Sequence, residues 1–416
     1  MSATSPFVGV RVFSDLSDNT VSIDTRDSTV IGMALPCPNM AAADKALWPD
    51  DGEPVRVATD DAETIAKLGP GIAQDTIAQI AAEGIITDIA FVRVPDSGVL
   101  ETQIGKIVGS ANAKSGLWGL LEAKDGLKLE PGSIIVPGYD SQRLGDAANP
   151  VAMAIDTICT RIIDCVGIVN TPSTSREDAA EYAQDFKLSR NMIAMYPAGR
   201  YYLNGQEVVR PLSPSVAAAM VRRDKEVGNP FKAFWNRPLL GLRGPSQRVT
   251  SRDGDPDTDA NFLVQNGVGT VIEGNLLWAP FTTATDPTTV AYRSIKRIRT
   301  RRSIEKAMLH PLRAYMSEDL GPHLITLIGQ SLDEACAERQ SLGAIIGYEI
   351  LWSKQLNPST FMRGGGIRLK LRFEETPDLT DLQIYSSPQP EAFDVLAAAI
   401  ASTIDSLGNA NFIAAA

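Results

Sequence analysis

The sequence predicts an α/β fold of several packed α/β units with extended arms at its ends, and three observations carry that expectation. Between Val55 and Met195, short apolar runs alternate with segments of helical period, the order that layers helices on a sheet. The chain has 416 residues, more than one typical domain. Hydrophobic residues make up 44% and charged residues 21%, the balance of a packed globular protein.

The first twenty residues read as an extended arm. Val8, Val10 and Val12 alternate with Gly9 and Arg11 at strand period, and polar residues 14–20 separate them from a second extended segment around 21–34. A strand with so little helix attached must find its sheet elsewhere. Val55–Ala58 reads as a strand, and Asp60 with Glu63 marks a helix start. Ile72, Ile77 and Ile80 keep helical spacing, and Gly84 stops that helix. The same grammar gives strands at 89–94, 134–137, 166–169 and 192–195, with helices at 152–165 and 176–186. Asn204-Gly205, between Tyr201-Tyr202 and Val208-Val209, is a two-residue hairpin turn. Residues 244–259, rich in Asp, Gly, Ser, Thr, Pro and Arg, read as an exposed loop.

Beyond the loop, 290–298 reads as extended, followed by a helix broken at Pro311 and resumed near Glu318. Leu320, Leu324, Leu327, Ile328 and Leu332 form one apolar stripe there, and Gly343 ends it before a strand at 344–352. In 367–373, Ile367, Leu369, Leu371 and Phe373 face one way while Arg368, Lys370 and Arg372 face the other, as in a half-buried or edge strand. Residues 382–385 are a further candidate strand, and Phe393, Leu396, Ala397, Ile400 and Ile404 trace an amphipathic helix. The expected divisions are an arm at 1–20, a first α/β region at 21–125, a middle α/β region at 126–285 carrying the loop, and a C-terminal region at 286–416 with its own arm.

Signatures of chemistry are sparse. Gly105-Lys106 has Leu100 where a phosphate loop needs glycine and Ile107 where it needs a hydroxyl, and Gly267-Val268-Gly269 lacks the third glycine of a dinucleotide fingerprint. Neither a G-x-S-x-G elbow nor an H-E-x-x-H helix occurs. Cys37, Cys159, Cys165 and Cys336 form no C-x-x-C pair and read as small buried residues. Two histidines, His310 and His323, argue against a His-rich metal site. The start of the chain lacks a secretion signal, and no apolar run reaches the ~18 residues of a membrane helix, so a cytosolic chain without membrane anchor is expected. Asp50-Asp51 and Asp60-Asp61 read as solvated turns. Asp253, Asp255, Asp257 and Asp259 alternate like half a calcium loop, but no glutamate completes it. No metal or cofactor is expected.

Net charge is −11, against unspecific nucleic-acid binding by the whole chain. One segment reverses the sign: Arg293, Lys296, Arg297, Arg299, Arg301, Arg302 and Lys306 stand against the single acid Glu305. Three readings stay open: nucleic-acid contact with only Tyr292 to stack a base, docking of an acidic protein partner, or a solvated junction.

The block 214–242 is the most distinctive. Pro214 and Ser215 open a small-residue helix with Ala217, Ala218 and Ala219; Arg222 and Asp224 follow, then Gly228, Asn236, Leu240 and Gly241. This resembles the signature of contractile tail sheath proteins. Other stretches fall in that family's order: 30–34, 91–94, 266–268 with 274–278, 292–297, and Leu342-Gly343-Ala344 with Gly347-Tyr348. The family's Trp-Gly-x-Arg-Thr stands here as Trp278-Ala279-Pro280-Phe281-Thr282. The resemblance implies a subunit of a phage-like tail that stacks in six-membered rings around a tail tube, contracts, and requires no cofactor. It implies terminal arms that add strands to neighbouring copies, with Val8, Val10 and Val12 and then Ile367, Leu369, Leu371 and Phe373 as candidates. It also implies contact with the tube, for which Lys296, Arg297, Arg299, Arg301, Arg302 and Lys306 are candidates, and with baseplate and tail terminator proteins. The place would be the virion tail, assembled in the bacterial host cytoplasm, without nucleic-acid or membrane partners. The alternatives are an α/β enzyme with an unrecognised carboxylate site, or a nucleic-acid binder using residues 293–306.

Overall fold

The computed structural model of the protein describes residues 29–49, 52–203 and 205–408. The expected strand at Val8, Val10 and Val12, residues 21–28, the Asp50-Asp51 pair, the turn residue Asn204 and residues 409–416 therefore lie outside the described residues.

In chain order the strands of the body are β1 (Ile31–Pro36), β2 (Val55–Ala58), β3 (Asp88–Val94), β4 (Ser133–Ile135), β5 (Val166–Asn170) and β6 (Met192–Met195). The hairpin β7 (Gly199–Leu203) and β8 (Gln206–Arg210), the short β9 (Arg237–Pro238) and β10 (Leu242–Pro245), and the hairpin β11 (Val268–Ile272) and β12 (Leu276–Trp278) follow. Among the described residues one nine-stranded sheet results, in the order β2-β3-β1-β4-β5-β6-β11-β12-β9. Its centre, from β3 to β11, is parallel, while β2 and the β12–β9 margin are antiparallel. Parallel strands must be covered on both faces, and β1, β4, β5 and β6 are buried at every residue. Helix Ile72–Ala82 with helix Ser213–Val227, and helix Leu100–Val108 with helix Pro150–Arg161, pack as two pairs against these central strands. β10, β7 and β8 form a separate antiparallel sheet, and Leu203 pairs with Gln206 across the expected two-residue turn.

The C-terminal region holds helices Ile295–Leu312 and Pro322–Ser341 and the antiparallel pair β13 (Ile345–Leu351) and β14 (Lys370–Glu375). Its core is small. Phe231, Ile304, Cys336, Ala344 and Ile345 form one cluster, and Ala307, Leu332 and Ala335 another. Residues 379–416 form a unit of their own, in which helix Ala392–Ser406 has no buried residue.

Four expectations need correction. The boundary at 125/126 cuts through the sheet, because β1 pairs with both β3 and β4 and so joins the first region to the middle one. Residues 290–298 are not extended: a short 3-10 turn at Val290–Tyr292 leads into a helix from Ile295, on which Ile295 packs on the sheet core while Ile304, on the opposite face, packs in the cluster with Cys336 and Ile345. The later helix begins at Pro322, where proline suits the first turn, rather than near Glu318. Residues 382–385 form no strand and are open to solvent, Tyr385 by 90%.

Candidate functional site

The block 214–242 folds into a packing node. Its helix, Ser213–Val227, starts where proline is tolerated and ends at Gly228, whose φ of +80° closes the last turn in the left-handed region. Ala217, Ala218 and Ala219 are buried and bring the helix close to the sheet. Ser215 Oγ donates to the Tyr201 hydroxyl at 3.1 Å, and the Ser213 N–H donates to Asn170 Oδ1 at 3.0 Å. Asn170 in turn donates through its N–H (3.0 Å) and its side chain (2.8 Å) to Asp140, which is fully buried.

Two ion pairs fix the far half of the helix. Arg222 reaches Glu83 at 2.6 Å and the Pro238 carbonyl at 2.6 Å. Glu83 also accepts the N–H groups of Leu240 (3.0 Å) and Gly241 (3.4 Å). Burial raises the Glu83 carboxyl above its usual range, against the opposing pull of these donors. Gly241 is required by space, since a Cβ there would stand 2.7 Å from the Ala82 Cβ. Gly241→Ala is therefore expected to cost about 1–3 kcal/mol by overpacking, read as a shift in urea midpoint; an unchanged midpoint would remove this account of the glycine. Asn236 takes φ +57°, which asparagine tolerates, and its N–H donates to the Leu277 carbonyl at 2.7 Å.

The second pair joins Asp224 to Arg299 on helix Ile295–Leu312. Both guanidinium ends engage the carboxylate, one at 3.2 Å, and the side chains are only 4% and 3% exposed. The remaining cations of this segment are also engaged inside the chain. Arg297 pairs with Glu374 and Glu375, Arg301 with Glu375, and Lys306 with Glu130 at 3.2 Å. Lys296 donates to the Thr376 carbonyl and Arg302 to that of Cys159. The expected solvent-facing basic patch is thus corrected: Lys296, Arg299 and Lys306 are buried, because the helix lies between the sheet body and β14. The nucleic-acid reading loses its surface with it.

Asp164 faces the same helix. It is buried with φ +67°, near Lys306, Arg299, Arg302 and Asp224, and burial pushes its carboxyl up to about 7. Burial does the same to Asp140, also to about 7. Asp140 is fully buried and Asp164 is 4% exposed. Among the described residues no group of three or more His, Cys, Asp and Glu is placed to hold a metal, and no helix is long and apolar enough to cross a membrane.

The C-terminal strand candidates alternate as expected. Leu371 and Phe373 pack on the cluster around Ile304, and Leu369 on that around Leu332, while Arg368, Lys370 and Arg372 are exposed. The strand begins at Lys370, so Ile367 and Leu369 precede it. Its partner is β13 of the same chain.

No family model matches the sequence. The prophage major tail sheath protein of Pseudomonas aeruginosa is 24% identical over 288 residues, covering 67% of this chain and 70% of that protein. The major tail sheath protein of Serratia phage KSP20 is 24% identical over 387 residues, 90% of this chain and 93% of that one, so the likeness runs nearly end to end. Over most of its length the chain is therefore similar to contractile tail sheath proteins. The fold agrees: the contracted sheath of the PVC extracellular contractile injection system matches with a TM-score of 0.67 at 13% identity, over 94% of this chain and all of that one. The contracted helical sheath of the anti-feeding prophage gives 0.61 at 13% identity, over 93% and 100%. Its role is that of a structural component of a phage-like tail. The signature residues Pro214, Ser215, Arg222, Asp224, Gly228, Asn236 and Gly241 are structural: they clamp one helix to the sheet body on one side and to the C-terminal region on the other. Sequence reading missed their partners Glu83, Tyr201 and Asn170, since nothing local marks a residue whose role is set by a distant one.

Proposed function

We propose that this protein polymerises through its ends into helically stacked rings of six around a tail tube, and that contraction is a repacking of those copies which drives the tube through the target envelope. The observation that carries the reading is the segment past Asp378. Leu382, Ile384, Tyr385, Phe393 and Ile400 are exposed there, an amount of open apolar side chain that calls for cover in an assembly. Extended arms suit such cover, because a row of backbone hydrogen bonds between copies must break together. β14 pairs on one side only among the described residues. An incoming strand, such as Val8, Val10 and Val12 of a neighbour, would extend the β13–β14 pair at an open edge and leave Leu371 and Phe373 in their own core. Ile367 and Leu369 would flank that addition.

The tube remains a proposed partner, with baseplate and terminator proteins at the ends, and the bacterial cytoplasm as the place of assembly. The internal pairing of Lys296, Arg297, Arg299, Arg301, Arg302 and Lys306 argues that the tube is met by other side chains. Deleting residues 1–20 is expected to leave a folded chain that forms no tubes by electron microscopy. Tubes of normal length from that deletion would overturn the N-terminal arm.

A further inference from the structure

At the end of β14 the chain runs back along helix Ile295–Leu312, and four of the residues 374–378 are held there. Glu374 pairs with Arg297, and Glu375 with Arg297 at 3.2 Å and with Arg301. Thr376 donates its N–H to the Ala344 carbonyl at 3.0 Å, and its own carbonyl accepts from Lys296. Pro377 stiffens the backbone before Asp378. Asp378 ends this strap. One carboxylate oxygen accepts the Trp235 indole N–H at 2.6 Å and the other the Ser294 hydroxyl at 3.0 Å, with the Lys296 charge nearby.

Trp235 is placed by the signature block. Asn236 turns the chain with its left-handed φ, β9 pairs with β12, and Trp235 stands edge-on to Trp278 with ring centroids 5.1 Å apart. An indole N–H only donates and an ionised carboxylate only accepts, so the bond to Asp378 is charge-assisted. It joins the margin of the nine-stranded sheet to the last residue before 379–416, which form a unit of their own. β13 and β14 are only a two-stranded ladder, marginal by itself. Tension applied at Leu379 would peel β14 from β13 one pair at a time, starting at Glu375. With Asp378 held, the contact to the sheet body must break first.

We propose that Asp378 is the anchor of the C-terminal arm. It is a positioning residue that passes tension on residues 379–416 through Trp235 and Ser294 into the sheet margin and the start of helix Ile295–Leu312, and so keeps β14 in register. This role rests on the self-assembly reading, since a free chain puts no tension on its arm.

The test uses the full-length chain with Trp235→Phe, which removes the N–H and keeps a ring, and with Asp378→Ala, which removes both acceptors. In free chains the amides of β14 and Thr376 are expected to exchange about tenfold faster in either variant. The double variant should go no faster, and the amides of β1 and β5 should be unchanged. Either variant should give tubes that break under capillary shear which parental tubes survive, or no tubes at all. Ile168→Val, a loss of packing in the centre of the sheet, should give tubes as robust as the parent's. Exchange as slow as in the parent overturns the anchor. Faster exchange with tubes of parental strength, or equal fragility in Ile168→Val, overturns its part in carrying tension. A parental chain that forms no tubes overturns the self-assembly reading and this role with it, while the exchange result reads the contact by itself.

Discussion

Asp224→Ala is expected to destabilise the folded chain by about 3–5 kcal/mol. Arg299 is 3% exposed and keeps its positive charge at any accessible pH, so removing the carboxylate strands a buried cation. The loss measures that stranding rather than the net worth of the pair, because taking both ions out of water is itself costly. A double variant, Asp224→Leu with Arg299→Met, should therefore recover much of the loss. The pair ties helix Ser213–Val227 to helix Ile295–Leu312, so the damage should concentrate where the sheet body meets the C-terminal region. Urea unfolding at neutral pH, followed by hydrogen exchange, reads both quantities. A loss below about 1 kcal/mol, the level of a surface pair, would show that water reaches Arg299 and that this node is not a buried clamp.

The body of the fold was legible where burial imposes a simple pattern. Strands covered on both faces need unbroken apolar runs, and β1, β5 and β6 have them. Gly228 and Gly343 mark helix ends because their positive φ is a local demand. The four cysteines are buried, as expected of small apolar residues, and the Cys159 thiol donates to Cys165 Sγ at 3.5 Å. β9 and β10 were not legible, since Arg237-Pro238 and Leu242–Pro245 contain no apolar run and are fixed by their partners rather than by their own period. The candidate site was half legible. The signature block was found, but its chemistry was hidden because Asp224 and Arg299 lie 75 residues apart. The same blindness turned 293–306 into a surface patch: a basic run looks solvent-facing until its acids, Glu130, Glu374 and Glu375, are brought in from elsewhere. Residues 1–20 raise a different matter, since the partners proposed for them are other copies of the chain.

Asp164→Asn should stabilise the protein, with a gain that depends on pH. Burial pushes the carboxyl from its ordinary 3.8 to about 7, although Lys306, Arg299 and Arg302 pull it down. The folded state therefore binds a proton that the unfolded chain releases between about pH 4 and pH 7. Stability falls as pH rises through that window, and the deficit is complete above about 7. At 1.36 kcal/mol per pH unit, the interval bounds the deficit at about 4 kcal/mol. Asparagine keeps the shape, carries no charge, and accepts the left-handed φ of +67° at this position. The variant should gain about 2–4 kcal/mol at pH 8.5 and nearly nothing at pH 4, by urea unfolding at each pH. A variant less stable than the parent at pH 8.5 would mean that the ionised Asp164 holds Lys306 and Arg299 in place strongly enough to outweigh its own desolvation. The contrast with Asp224 is physical: one buried aspartate meets a guanidinium through two hydrogen bonds, while the other has cations nearby without the geometry to repay its desolvation.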